Sequence, residues 1–253
     1  MQLLFLRSYH HNLYYQLNLH HQQVENYTLV LTSRVNMSNK NYSVISQDKI
    51  GSFNKTIEVD SDKSISIRSF LIGSISQGIS EISNILESED VFSTIKCLSK
   101  LNVKIKKVGT KKYQVYGKGI GSLFAKKNKV LDFENSGTCA RLLISLIGVT
   151  PGLTLRLTGD RSLKKRNMSK LIKIMNEFGT EFYPKGKSYL PLNLISSSMP
   201  MGIFYKSGIS SQLKSAAILA ASHSFSISTI LENRNIESRD HTENILLKNS
   251  KIL

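Results

Sequence analysis

The chain has 253 residues, 40% of them hydrophobic, and a formal net charge of +16. That length fits one or two domains with a sizeable core, and no run is long or apolar enough to span a membrane. The two cysteines, Cys97 and Cys139, form neither a C-x-x-C pair nor a Cys/His zinc spacing. This points to a reducing compartment, the cytoplasm, and away from a metal site.

Residues 1–45 are rich in Asn, Gln, His and Tyr, with His10, His11, His20 and His21 crowded near the start. They lack apolar periodicity and read as a disordered polar extension. Leu3 to Leu6 is too short for a signal-peptide core. The folded domain is expected over 46–253, and Lys55 to Val59 alternates as a strand should.

Asp62-Lys63-Ser64-Ile65-Ser66-Ile67-Arg68 then precedes the apolar run Ser69 to Ile75. If the run is a helix, Ser64 is a natural N-cap, Lys63 lies just outside the helix and Arg68 lies one turn inside. Backbone N–H groups and two cations then face one loop, which suits a phosphate or carboxylate. Gly78 to Ile82 reads as the strand that follows. Asp90 has two readings: it contacts a substrate, or it caps a helix and orients Lys63 or Arg68.

Val91, Ile95, Leu98, Leu101, Val103 and Ile105 recur as Met168, Ile172, Met175, Phe178, Thr180 and Phe182, at a constant offset of 77 residues. Four positions of each set have helical spacing and the last two alternate. Asn102 and Gly179 stand where a left-handed helix C-cap is needed. Lys104 to Lys107 and Lys126 to Lys129 read as solvated turns without interleaved aromatics, which argues against single-stranded nucleic acid as a partner. Tyr113 to Gly117 reads as a strand.

The loop-then-helix signal recurs twice. Asn135-Ser136-Gly137-Thr138-Cys139-Ala140-Arg141 precedes Leu142 to Ile147, and Ser210-Ser211-Gln212-Leu213-Lys214 precedes Ser215 to Ala220. Gly137 allows close backbone approach to a ligand, and Cys139 reads as a packing residue. Gly152 to Leu157 is again a following strand. Glu237 to Asp240 echoes Glu87 to Asp90 ahead of an amphipathic helix. The expected fold is therefore α/β, with three αβ units packed so that their first helices are buried and three helix N-termini face one region.

Five ordered motifs carry a family resemblance over about residues 50–248. They are Asp62-Lys63-Ser64-Ile65-Ser66-x-Arg68, Asn135-Ser136-Gly137-Thr138, Leu157-Thr158-Gly159-Asp160-x-Ser162-Leu163-x-Lys165-Arg166-x-Met168, Ser210-Ser211-Gln212 and Ser238-Arg239-Asp240-His241-Thr242-Glu243. Together they resemble the N-terminal half of the 5-enolpyruvylshikimate-3-phosphate synthases, in their class II form. The resemblance implies an inside-out domain of three αβ units, with helices buried within sheets. It implies transfer of the enolpyruvyl group of phosphoenolpyruvate to the 5-hydroxyl of shikimate-3-phosphate, with release of phosphate and no cofactor or metal.

By the same resemblance, Lys63, Ser64, Arg68, Ser210, Ser211, Gln212 and Arg239 hold shikimate-3-phosphate. Lys63, Gly137, Arg166 and Gln212 hold phosphoenolpyruvate, with Lys63 and Arg166 catalytic. Ser61 and Ile67 depart from the family pattern around the first motif, Asn167 stands where a proline is usual, and Ser136 replaces a Gly or Ala that bears on glyphosate response. The family's second domain has no counterpart in these residues. The chain is thus expected to be a fragment with little turnover alone, monomeric or completed by a separate chain. The rival readings are a non-catalytic remnant or basic binding module, and the related UDP-N-acetylglucosamine enolpyruvyl transferase.

Overall fold

The computed structural model describes Val35–Met37, Lys40–Tyr42, 61–232 and 238–248. The described residues fall into two units, one holding the strands Val35–Met37 and Lys40–Tyr42 and the other holding 61–232 and 238–248. In the first, Val35–Met37 (β1) pairs antiparallel with Lys40–Tyr42 (β2). The strand expected over Lys55 to Val59 lies outside the described residues.

The second unit is built from a repeated pattern. Its first part runs Lys63–Ile75 (α1), Gln77–Ile82 (β3), Glu89–Lys100 (α2), Lys104–Gly109 (β4) and Lys112–Lys118 (β5). These strands form an antiparallel sheet of order β3-β5-β4. The second part runs Lys129–Asp132 (β6), Gly137–Gly148 (α3), Thr154–Thr158 (β7), a 3-10 turn at Leu163–Lys165, Ser169–Glu177 (α4), Glu181–Tyr183 (β8) and Leu192–Ile195 (β9). Its sheet order is β6-β7-β9-β8, with β6 and β7 parallel across α3. The third part runs Phe204–Ser207 (β10), Ser211–Ala221 (α5), Thr229–Glu232 (β11) and His241–Lys248 (α6), with β10 and β11 parallel across α5.

The 77-residue offset is thus structural, carrying α2 onto α4 and β4 onto β8. Asn102 (φ 64°) and Gly179 (φ 88°) both adopt the left-handed conformation expected after the second helices. The short strands β6 and β10, which open the second and third parts, carry no clear alternation and are not legible in the sequence.

The first helices form the core. Ile67, Phe70, Leu71 and Ile75 of α1 are fully buried, as are Leu142, Leu143, Leu146 and Ile147 of α3 and Ala216, Ala217, Leu219 and Ala220 of α5. Burying each large side chain stabilises the fold by about 1.5–3 kcal/mol. The small α5 residues let α3 and α5 pack closely. Serines inside or just past these helices satisfy themselves on the preceding turn: Ser74 donates to Leu71 O, Ser145 to Leu142 O and Ser222, at the end of α5, to Leu219 O, at 2.6–2.7 Å. Gly117 lets β5 cross the end of α1, because a Cβ there would collide with the carbonyl oxygens of Gly73 and Ser76.

Lys104 to Lys107 occupy strand β4 and not a turn. The Lys104 and Lys106 ammonium groups lie 4.9 and 5.8 Å from the centre of the Tyr116 ring. The aromatic partner comes from the neighbouring strand, where a reading of the lysine run alone misses it. Lys127 and Asn128 do form a turn before β6. Cys97 and Cys139 are both fully buried; the hydrogen bond to Cys97 and burial push the Cys139 thiol well up, as befits a packing residue. Among the described residues no helix is long and apolar enough to cross a membrane.

Candidate active site

The N-termini of α1, α3 and α5 are joined by side-chain hydrogen bonds that also draw in α2 and α6. At α1 the cap is Asp62, whose Oδ1 accepts from Ile65 N at 2.7 Å, so Ser64 is not the N-cap. A carboxylate caps at least as well as a hydroxyl and also interacts favourably with the positive end of the helix dipole. Capping at Asp62 puts Lys63 in the first helical position and frees Ser64, whose Oγ and carbonyl accept from Arg68 Nη1.

Lys63 Nζ donates to Asp90 Oδ2 at 2.9 Å. Burial pushes the Asp90 carboxyl up, but hydrogen bonds from Lys63 and Ser136 and the charges of Lys63 and Arg166 outweigh it and hold it below the ordinary range. The N-cap position of α2 is Ser88, whose hydroxyl makes no capping hydrogen bond, and Asp90 lies in the first turn. Of the two readings of Asp90, the geometry supports orientation of Lys63.

Ser136 caps α3, accepting from Cys139 N. Arg166, just past the 3-10 turn, donates from Nη2 to Asn135 Oδ1 at 2.9 Å. Its Nη1 lies only 2.5 Å from where a Cβ on Gly137 would sit, so glycine lets the guanidinium lie against the start of α3. Ser210 caps α5 in the same way, accepting from Leu213 N. Gln212 Nε2 donates to Thr138 Oγ1 at 3.0 Å, and Gln212 Oε1 accepts from Arg141 Nη1 at 2.9 Å. Ser210, Ser211 and Gln212 are thereby fixed beside Gly137 and Thr138.

Arg68 is 2% exposed and joins three helices. Its Nε donates to Thr242 Oγ1 at 2.7 Å and its Nη2 to Ser215 Oγ at 2.9 Å, while Thr242 Oγ1 donates to Ser215 Oγ at 2.8 Å. Burial lowers the Arg68 pKa from the ordinary arginine value; Glu243 and Asp62 oppose this and Arg239 adds to it. Arg239 itself is exposed at the approach to α6.

The sequence-expected residues Lys63, Ser64, Arg68, Gly137, Arg166, Ser210, Ser211, Gln212 and Arg239 therefore lie on one connected set of helix starts and loops. Reasoning from sequence read Arg141 as the cation of the second loop without giving it a ligand, and missed Ser215 and Thr242 as participants. Arg141 had a visible signal, since it stands inside the start of α3 much as Arg68 does in α1. Burial lowers its pKa as well, with Arg166 contributing. No arginine of the set is ion-paired with a carboxylate among the described residues; the ion pairs there all use lysines. Such a group of unpaired cations and helix dipoles favours a small polyanion.

Comparison with known proteins shows the family. The family model described as EPSP synthase (3-phosphoshikimate 1-carboxyvinyltransferase) matches residues 47–250. A 3-phosphoshikimate 1-carboxyvinyltransferase of Leptospira interrogans is 41% identical over 194 residues, 76% of this chain and 43% of that protein. One from Parvibaculum lavamentivorans is 34% identical over 210 residues, 83% of this chain and 46% of its own length. The solved EPSP synthase of Acinetobacter baumannii superposes with a TM-score of 0.69 at 30% identity, covering 76% of this chain and 42% of that one. The chain thus spans less than half the length of these relatives, and its three-part domain has their inside-out α/β fold. The chain belongs to the EPSP synthase family.

Proposed function

We propose that this chain contributes the shikimate-3-phosphate-binding wall, and part of the phosphoenolpyruvate site, of a 3-phosphoshikimate 1-carboxyvinyltransferase. The reaction moves the enolpyruvyl group onto the 5-hydroxyl of shikimate-3-phosphate and releases phosphate. The observation that carries this reading is the joining of three capped helix starts to Lys63, Arg68, Arg141 and Arg166, with a carboxylate on Lys63 alone. Each substrate bears a phosphate and a carboxylate, so fixed positive charge is what the pair requires.

In this reading Ser64, Arg68, Ser210, Ser211 and Arg239 hold shikimate-3-phosphate. The Gly137 backbone and Arg166 hold phosphoenolpyruvate, and Gln212 lies between the two. Lys63, oriented by Asp90, faces both substrates, and with Arg166 it stabilises charge as phosphate departs. The chemistry belongs in the cytoplasm, among soluble phosphorylated metabolites.

Calorimetric titration of shikimate-3-phosphate at fixed salt tests the assignment. A charge-assisted hydrogen bond is worth about 1.5–3 kcal/mol, so losing one weakens binding roughly ten- to a hundredfold. Lys63→Ala and Arg239→Ala are each expected to show that loss, and Lys127→Ala, on the turn before β6, is expected to leave affinity unchanged. Equal weakening by all three would mean that diffuse charge holds the ligand.

A further inference from the structure

One buried ammonium group lies behind the substrate-facing residues without joining them. Lys214, in the first turn of α5, has a side chain only 3% exposed. Its Nζ donates to Glu243 Oε1 at 2.7 Å and to Glu232 Oε1 at 2.9 Å. Glu232 ends β11, and the same Oε1 accepts from Ser238 N at 3.2 Å and Ser238 Oγ at 2.7 Å. Glu243 sits in the first turn of α6, next to Thr242, the partner of Arg68. Arg239 therefore lies between two anchors, Ser238 and the start of α6, both held by the same lysine.

Adjacent residues of α5 grip adjacent residues of α6: Lys214 holds Glu243 and Ser215 holds Thr242. We propose that Lys214 is a positioning residue, which fixes the Arg239 segment and keeps Arg68 available to an anionic substrate without touching that substrate. The proposal rests on the functional reading above for the identity of the ligand.

Two physical points support this role. A buried lysine between two carboxylates has two of its three N–H donors committed to them, and with a side chain 3% exposed it is too enclosed to reach a ligand. Burial pushes its pKa down, but Glu243 and Glu232 outweigh that and hold it above the ordinary lysine value, so the charge persists. The second point concerns Glu243. Its Oε2 is buried without a hydrogen-bond partner among the described residues, and its charge already acts on Arg68. With Lys214 alone removed, Arg68 is the neighbouring cation that would turn from the ligand to compensate Glu243; with Glu243 neutral as well that pull is gone, and only the hold on the Arg239 segment is lost.

Lys214→Met alone strands a buried carboxylate, and its failure to fold would be uninformative. The test therefore uses Lys214→Met/Glu243→Gln, which removes one charge of each sign, and compares it with the wild-type 253-residue chain. Three quantities are measured: thermal midpoint, hydrogen exchange of the Ser238–Asp240 amides without ligand, and shikimate-3-phosphate affinity. The proposal expects a near wild-type midpoint, roughly tenfold or faster exchange confined to Ser238–Asp240, and affinity weakened about tenfold or more. Unchanged exchange at Ser238–Asp240, or faster exchange spread over the whole domain with a lowered midpoint, would overturn it. So would wild-type affinity in the double variant. If the wild-type chain binds no shikimate-3-phosphate, the functional reading fails, and the exchange measurement still decides whether Lys214 holds the Arg239 segment.

Discussion

Arg68→Met is expected to weaken shikimate-3-phosphate binding by a hundredfold or more while leaving the fold as stable as before, or more so. The two effects have one cause. Arg68 is almost fully buried, yet among the described residues its guanidinium meets only hydroxyl and carbonyl oxygens of Ser64, Ser215 and Thr242. A buried cation without a bonded carboxylate is costly, and replacing such charges by apolar side chains of similar volume is often neutral or stabilising by about 1–4 kcal/mol. Thr242 and Ser215 would still bond each other at 2.8 Å, and Ser64 is only partly buried. An anionic ligand supplies the missing counter-charge, which is why affinity falls on substitution. Thermal unfolding and calorimetry on the same variant check the pair. A collapsed midpoint with unaltered affinity would make Arg68 a structural residue.

Acidification from pH 6.5 to 4 is expected to remove about 3 kcal/mol of stability through His223 alone. The residue follows α5, is 7% exposed, and its Nε2 has no hydrogen-bond partner among the described residues. Burial pushes its pKa down from 6.5 to about 4, against a small opposing contribution from the Leu219 backbone. The unfolded chain therefore takes up a proton near pH 6.5 that the folded chain refuses until about pH 4. Stability is complete above pH 6.5 and declines as pH falls through that window. His241, also lowered, first by burial and then by Arg68, adds to the loss in the same direction. Denaturant unfolding of wild type and His223→Gln at pH 7, 5.5 and 4.5 measures the slope. A slope unaltered by the substitution would exclude His223 as its source.

The elements that were legible in the sequence share a local cause. Amphipathic spacing marks α2 and α4, and a residue able to adopt positive φ marks their ends at Asn102 and Gly179. The buried first helices are legible because α3 and α5 are apolar or small nearly all round. What escaped depends on partners distant in sequence. Nothing within Asp62 to Arg68 says whether Asp62 or Ser64 caps α1, since both residues are good caps and the choice decides where Lys63 points. The aromatic partner of Lys104 is Tyr116, one strand away. Arg68 meets Ser215 and Thr242 across 147 and 174 residues, contacts that no local pattern encodes. The site residues carried by the family motifs fall on connected helix starts, whereas Lys214, the cation of the third loop in sequence, turns inward to Glu232 and Glu243, and the bonds of Ser215 and Thr242 arise only when α5 and α6 meet.

Titration of the 253-residue chain with shikimate-3-phosphate and, separately, with UDP-N-acetylglucosamine at the same moderate salt tests the central claim most directly. The account predicts one saturable site for shikimate-3-phosphate, weakened about a hundredfold or more by Arg68→Met, and no saturable site for the nucleotide sugar. Saturation by UDP-N-acetylglucosamine instead, or shikimate-3-phosphate affinity unchanged by Arg68→Met, would contradict it.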